Sequence, residues 1–462
     1  MSGHAIPVEG RYRPSVRGSG LRRTCRAALM GAVGVWAGCG LAIDGMAPGT
    51  GIERGRGGQP LVSLASPAFA QTGTESSQNG GGTVVAEGGQ PDPAGAMAIP
   101  SSVVALDPPA ETLGARVYQG LLDQGDGNVV LSPASMEIAV SMIGEATRAP
   151  LRESIREAVG VPYESLAAIN DLPPSEKATV TFANALWLAP GYTLTPDYSH
   201  QMQSVFGGEV FSIDFATGEP SKTINDWVAA ETNNAVEAIV DRLPRQTSLV
   251  LTNAFYFKGD WLRPFDPTDT ADGPFQTGAG SPVQVPMMSR AGVFPYARTE
   301  HGQVVRLFYI DPKLSLTLYL PDTDSDPSAA RSESLAWLFT TDHTETTRPG
   351  EGTVSLPRLS LDRKMELTRL LSSLGMGALL GDSAAIQGIQ GSIPPSVTNV
   401  VQRSVVEVTE QGTVAAAATA VIGLRTAGSE PFTFVADRPF HLALHHADVP
   451  TPLLVGYVSD PS

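Results

Sequence analysis

Cysteine is almost absent: only Cys25 and Cys39 occur, both before residue 40, so no disulfide framework or cysteine-rich metal site holds the main body together. A surplus of positive charge is missing too. The chain carries 31 Lys and Arg against 47 Asp and Glu, a formal −16, which argues against the basic surface that nucleic acid or an anionic membrane selects. Catalytic motifs are equally scarce, with no G-x-S-x-G nucleophile elbow, no G-x-x-x-x-G-K-[ST] phosphate loop and no H-E-x-x-H. His445 and His446 with Asp448 form a tight cluster of histidine and acid. Adjacent strand residues point to opposite faces, so these histidines are poorly placed to share a metal and read as polar residues at a strand end. No metal site and no cofactor site is expected.

The charge is unevenly spread. Residues 1–70 hold 8 of the basic and 3 of the acidic residues, leaving 23 against 44, or −21, for the remainder. Arg11, Arg13, Arg17, Arg22, Arg23 and Arg26 precede the uncharged stretch Ala27–Ile43, the basic-then-apolar order of an export signal. That stretch is shorter than the roughly 20 residues that span a bilayer, and Gly31, Gly34, Gly38 and Gly40 interrupt it. Ala68-Phe69-Ala70 before Gln71 offers a small-x-small cleavage site. Cys39 after Ala37-Gly38 offers lipidation as an alternative, with Trp36 where a lipobox normally has Leu. Between Gln71 and Ala110 there is no Lys, Arg or aromatic residue, so the segment cannot bury enough surface to order itself. We therefore expect an export segment over 1–43, a Gly/Ser/Pro-rich linker over 44–110 and one secreted domain over 111–462, free or anchored through Cys39.

Within that domain the hydrophobic period alternates. Ser132-Pro133 followed by Met136, Ala139, Val140 and Ile143 predicts a capped core helix. Ile224, Trp227, Val228, Val236 and Ile239 suggest a second. Leu367, Leu370, Leu371 and Leu374 suggest a third that ends at Gly375. Leu249–Phe257, Leu314–Leu320 and the segments 432–436, 440–444 and 453–458 read as strands. The class is α+β, with large antiparallel or mixed sheets.

One segment fits neither core nor ordinary loop. After Glu410-Gln411-Gly412-Thr413-Val414 come Ala415, Ala416, Ala417 and Ala418, which favour helix. Thr419, Val421 and Ile422 favour strand, and Gly423, Gly428 and Pro431 favour an exposed loop. Such conflict is expected where a segment lives in two conformations. In strand form Thr413, Ala415, Ala417 and Thr419 share one face, all small enough to enter a packed sheet.

This segment resembles the hinge of an inhibitory serpin, a member of the serine protease inhibitor family, of the bacterial type. Other motifs carry the resemblance in family order across residues 111–462. They are Asn128-Val129-Val130-Leu131-Ser132-Pro133-Ala134-Ser135, Thr252–Trp261 with Pro264-Phe265, and Val285-Pro286-Met287-Met288. Leu320-Pro321-Asp322, Leu356-Pro357-Arg358-Leu359, Asp437-Arg438-Pro439-Phe440 and Leu454-Val455-Gly456-Tyr457-Val458 come after them.

The resemblance implies a metastable serpin fold, with helices packed around three β-sheets and an exposed reactive-centre loop. It implies no enzyme but a suicide substrate, in which a protease cleaves the loop, is trapped as the acyl-enzyme and is dragged along as the loop enters the main sheet. The hinge would be Glu410, Gly412, Thr413 and Ala415–Ala418. The sheet-opening region would be Ser132, Ser135, Asn253, Trp261 and Gln402. Gln402 stands where many members have histidine, but an amide both donates and accepts, so its link to Asn253 is expected to survive. Val414 replaces a usual Glu at an outward position. The short stretch from Gly160 to Ala178 and the acidic charge argue against heparin activation, and a monomer is expected. The family register places the reactive bond at Thr426–Ala427, suiting an elastase-like protease. Arg425, the one Lys or Arg between Gly412 and Glu430, instead suits a trypsin-like or subtilisin-like protease. We place the bond at Arg425–Thr426, with Thr426–Ala427 as the alternative. The competing readings are a non-inhibitory serpin acting as carrier or chaperone, and a secreted hydrolase using His445 or His446.

Overall fold

A computed structural model describes residues 112–125, 127–170, 172, 177–341, 343, 346–381, 386–413 and 430–462. Residues 1–111, with Cys39, and residues 414–429, with Ala415–Ala418, Arg425, Thr426 and Ala427, lie outside the described residues. No described helix is long and apolar enough to cross a membrane.

The elements that position the site are, in chain order, α1 (Pro133–Glu145), β1 (Ala178–Leu188), β2 (Glu209–Ser212), α2 (Pro220–Glu231), β3 (Leu249–Asp260), β4 (Leu359–Glu366), β5 (Val397–Val408) and β6 (Gly412–Thr413). Helix α1 starts as its sequence dictates: the Ser132 side chain accepts from Ser135 N, and Pro133 occupies the first turn. Every residue of α1 is buried, so the apolar stripe belongs to a helix enclosed on all sides.

That enclosure includes a carboxyl. Glu137 is fully buried, and its Oε1 accepts from Gly114 N at 3.1 Å. Burial pushes its pKa up to about 8, against weaker opposing pulls from the nearby Thr451 hydroxyl and the Gly114 N–H. The folded pKa lies above the ordinary 4.5, so the native state keeps a proton that the unfolded chain loses. The stabilisation is complete below the unfolded pKa and is lost as pH rises toward 8, at about 1.4 kcal/mol per unit. Glu137→Gln should flatten this part of the stability profile between pH 5 and 8 in urea unfolding. An unchanged slope would assign the dependence to other groups.

The strands form three sheets. The six-stranded one runs β4-β5-β3-β1-β2, with β6 paired to β3 outside that path. Strands β3 and β5 are parallel neighbours, whereas β3 pairs with β1, and β5 with β4, antiparallel. Alternate residues of β3 serve two layers, as the pleat requires. Leu249, Leu251, Phe255 and Phe257 join the main core. Val250 and Ala254 join Trp187, Val401 and the Ile224 and Val228 side chains of α2 in a second cluster. A nine-stranded sheet is built on the long strand Pro282–Arg298, which pairs with Ala271–Gln276, Gly302–Phe308 and Arg348–Pro357. Thr193–Leu194 and Ile389–Gln390 make the two-stranded third.

One helix expectation needs correction. Val236 and Ile239 are not helical: α2 ends at Glu231, and Asn233 and Asn234 come next at φ +53 and +63. They reach the second cluster from an irregular segment. The helix expected over Leu367–Leu374 is present: it starts at Thr368, leaves helical angles at Leu374, and ends at Gly375 with φ +93 as its glycine cap. In Leu314–Pro321 the interleaved Ser315, Thr317 and Tyr319 are as buried as the leucines, because the sheet is covered on both faces.

His445 is fully buried, with Nε2 2.9 Å from Leu338 O and Nδ1 3.2 Å from Thr317 Oγ1. Burial drives its pKa down to about 4. His446 Nδ1 accepts from the backbone N of Asp448, and the Asp448 carboxylate pairs with Lys313 at 2.6 Å. Both histidines are committed to local packing and hydrogen bonds.

Candidate functional site: the strand seam and the hinge

The junction of β3 and β5 carries a row of amides. Asn184 on β1, Asn253 on β3 and Gln402 on β5 stand opposite one another, facing the N-terminus of α1. Gln402 Oε1 accepts from Ser132 N at 2.9 Å, and its Nε2 donates to Ser132 O at 3.0 Å and Asn253 Oδ1 at 2.7 Å. Asn253 Nδ2 donates to Ser135 O at 2.7 Å and Ser135 Oγ at 2.6 Å, and also reaches Asn184 Oδ1. Ser132 Oγ closes the group on Leu453 O at 2.6 Å. All five side chains are buried, where unpaired amides would each cost about 1–3 kcal/mol. The amide of Gln402 does what a neutral histidine cannot: one side chain accepts at its oxygen and donates twice from its nitrogen.

Trp261 does not belong to this row. It comes directly after β3, about 25 Å along the strand from Asn253 at 3.3 Å per residue, and stacks on Tyr309 with ring centroids 4.3 Å apart. Its backbone N donates to Gln411 O and its Nε1 to Thr409 O, both at 3.0 Å. The residues expected to mark sheet opening thus fall into two groups, Ser132, Ser135, Asn253 and Gln402 along the seam, and Trp261 at the hinge.

At the hinge the seam changes partners. Pairing of β3 with β5 ends at Tyr256 opposite Val405, but β3 continues to Asp260. Beside that extension sits β6, antiparallel, with Gly412 opposite Asp260 and Thr413 opposite Gly259. A tight turn from Thr409 to Gly412 reverses the chain, with Thr409 N donating to Gly412 O at 2.8 Å and Thr409 Oγ1 to the same oxygen at 2.9 Å. Gly412 has φ +140, and a Cβ there would lie 2.2 Å from Gly259 O and 2.7 Å from Asp260 Cα. Only glycine fits against that backbone.

Glu410 anchors the turn. Its Oε1 receives Arg358 Nη2 at 2.6 Å, Arg358 Nε at 2.8 Å and Thr270 Oγ1 at 2.7 Å, while its carbonyl accepts from Phe265 N at 2.8 Å. Burial works against the charge, but the Arg358 and Thr270 hydrogen bonds prevail and hold the carboxyl below the ordinary glutamate range. Glu410 and Arg358 both stand in motifs visible in the sequence. Their pairing across 52 positions has no local signal.

The short connection after Gly160 contains the helix Tyr163–Asn170, YESLAAIN, which has no basic residue.

A family model described as Serpin (serine protease inhibitor) matches residues 109–461, and the chain belongs to the serpin family. It is 30% identical over 355 residues to the leukocyte elastase inhibitor of Sus scrofa, covering 72% of this chain and 93% of that one. It is likewise 30% identical over 358 residues to an uncharacterized serpin-like protein of Thermococcus kodakarensis, covering 73% and 81%. Among solved structures, the native state of the thermophilic serpin tengpin aligns with TM-score 0.68 at 21% identity, over 76% of this chain and 93% of that one. Human thyroxine-binding globulin in complex with its hormone aligns with TM-score 0.68 at 22% identity, over 76% and 97%. The family is one of protease inhibitors, not of enzymes, and serine proteases are its targets.

Proposed function

We propose that this chain is an inhibitory serpin, metastable as folded, whose loop enters the seam between β3 and β5 after cleavage. The observation that carries the reading is β6, which stands in the line of a new strand and in antiparallel register with β3. Continuing that register sets Ala415 opposite Phe257, Ala417 opposite Phe255, Thr419 opposite Asn253 and Val421 opposite Leu251. These positions face the main core. Ala416, Ala418 and Ala420 fall opposite Tyr256, Ala254 and Thr252, on the face that α2 and its following segment cover. Both faces of the new strand meet packed layers, which gives the four consecutive alanines a physical reason.

In the reaction the protease serine attacks the carbonyl of the reactive residue. The peptide bond to the next residue breaks, that residue leaves as a free amine, and an ester joins loop to protease. Insertion must finish before water hydrolyses the ester. We place the bond at Arg425–Thr426, which selects a trypsin-like or subtilisin-like protease through a charge-assisted contact; an elastase-like target would go with Thr426–Ala427. The basic-then-apolar order of residues 11–43 supports export to the cell exterior, with Cys39 as the alternative anchor. The acidic balance and the uncharged-to-acidic helix 163–170 support action without heparin.

The test is incubation of the full chain with trypsin, subtilisin and elastase, then denaturing gel electrophoresis. A covalent complex with one of them is expected, and the small released fragment should begin at Thr426. A fragment beginning at Ala427 moves the bond by one residue. A cleaved loop beside fully active protease in every case overturns inhibition and leaves the carrier reading.

A further inference from the structure

Insertion widens the seam by one strand, about 4.8 Å, and the irregular segment between α2 and β3 already spans it. Val236, Ile239 and Val240 of this segment pack with Trp187, Val250 and Ala254 of β1 and β3, and with Val401 of β5. Asn225 of α2 holds it from one side: its Oδ1 accepts from Ile239 N at 2.8 Å and Val240 N at 3.0 Å. Arg403 of β5 holds it from the other. Its Nη1 donates to the carbonyl of Ala238, while Nε, at 2.7 Å, and Nη2 fork onto Asp362 of β4. A second tie joins Lys364 of β4 to Asp241 at 2.7 Å, with the Asp241 side chain 89% exposed.

We propose that Arg403 is a positioning residue that latches the segment 236–241 across the closed seam and sets the rate at which the sheet opens. The geometry makes the latch specific to the closed state. Arg403 stands opposite Ala254, and the continued register brings Ala418 between them. When β5 moves off β3 by one strand, the Arg403–Asp362 fork travels intact with β4 and β5, since both strands lie on the same side of the opening. The bond to Ala238 does not, because that segment stays tied to α2 and packed on β1 and β3. The solvated Lys364–Asp241 pair carries little energy and serves as the control.

The inference rests on the insertion reading, and the test separates the two. A fluorescent peptide spanning residues 413–424 is incubated with the uncleaved full chain, and its annealing is monitored by native gel. Arg403→Met, which keeps the apolar stem, should anneal at least about tenfold faster than the parent, the worth of one charge-assisted hydrogen bond. Arg403→Lys, which keeps the charge without the fork, should fall between them and guards against misfolding of the first variant. Lys364→Met should stay within about twofold of the parent, as an exposed pair implies. Arg403→Met removes the Asp362 fork from both forms, so a role confined to stability would lower the melting temperatures of the intact and loop-cleaved forms equally, whereas the latch predicts the larger loss in the intact form, which alone has the Ala238 bond. Equal annealing rates for Arg403→Met and the parent overturn the latch alone. Failure of the parent to accept the peptide at any concentration overturns insertion itself.

Discussion

Cleavage of the loop should raise the melting temperature of this protein by about 20 °C. On the proposed mechanism, insertion along 414–424 extends β6 into a full central strand of the six-stranded sheet, with hydrogen-bonded neighbours on both sides. At roughly 1 kcal/mol net per backbone hydrogen bond, about ten new bonds amount to about 10 kcal/mol, and in a domain this large 1 kcal/mol moves the transition by about 2 °C. Burial of the small inward side chains adds to this. The measurement is a calorimetric scan of intact protein beside protein nicked in the loop by a protease that it does not trap. Equal melting temperatures would mean that the seam stays shut after cleavage, and the inhibitory mechanism would fall with it.

Ala415→Arg should turn the inhibitor into a substrate. Thr413 pairs with β3 before any cleavage, so Ala415 is the first core-facing residue that insertion has to bring in, and the continued register sets it opposite Phe257, which is buried in the main core. A guanidinium held there without a partner costs several kcal/mol, and each 1.4 kcal/mol slows the step tenfold. Insertion competes with deacylation of the ester, so a delay of two or three decades releases nearly all the protease. Titrating active protease against the variant should show full residual activity and a stoichiometric band of cleaved serpin, with Ala415→Ser behaving as the parent. Inhibition by Ala415→Arg at parental stoichiometry would show that this side chain does not enter the sheet.

The range of each interaction decides whether the sequence discloses it. The start of α1 was legible because Ser132-Pro133 is a local capping signal whose partner, Ser135 N, lies three residues away. The central strand β3 was legible as an apolar run, and the family motifs marked Asn253 and Gln402. The complete burial of α1, and with it the raised pKa of Glu137, depends on packing by Gly114 and the chain near Thr451, neither of which a helical period reports. Val236 and Ile239 kept a helical spacing only by coincidence; the backbone turns at Asn233 and Asn234, and their burial comes from the sheet. The clamps of Arg358 on Glu410 and of Arg403 on Ala238 join residues 52 and 165 positions apart. A charged side chain at such a position reads locally as a solvated face, and only the folded register gives it a partner.

The pairing of Gly412 and Thr413 with β3 bears on kinetics as well as geometry. Starting an ordered element is its improbable step, because several dihedral angles are fixed for the first hydrogen bond, and each later residue adds a bond for its own two angles alone. If the loop inserts as proposed, the start belongs to folding rather than to the encounter with a protease. Cleavage would then leave only propagation from an existing nucleus, with its direction set: growth would run from Gly259 toward Leu249, parting the β3–β5 rungs one at a time beginning at Tyr256. The first rungs to part then govern the delay, which makes the hinge-proximal half of the loop far less tolerant of bulk than the half near the reactive bond.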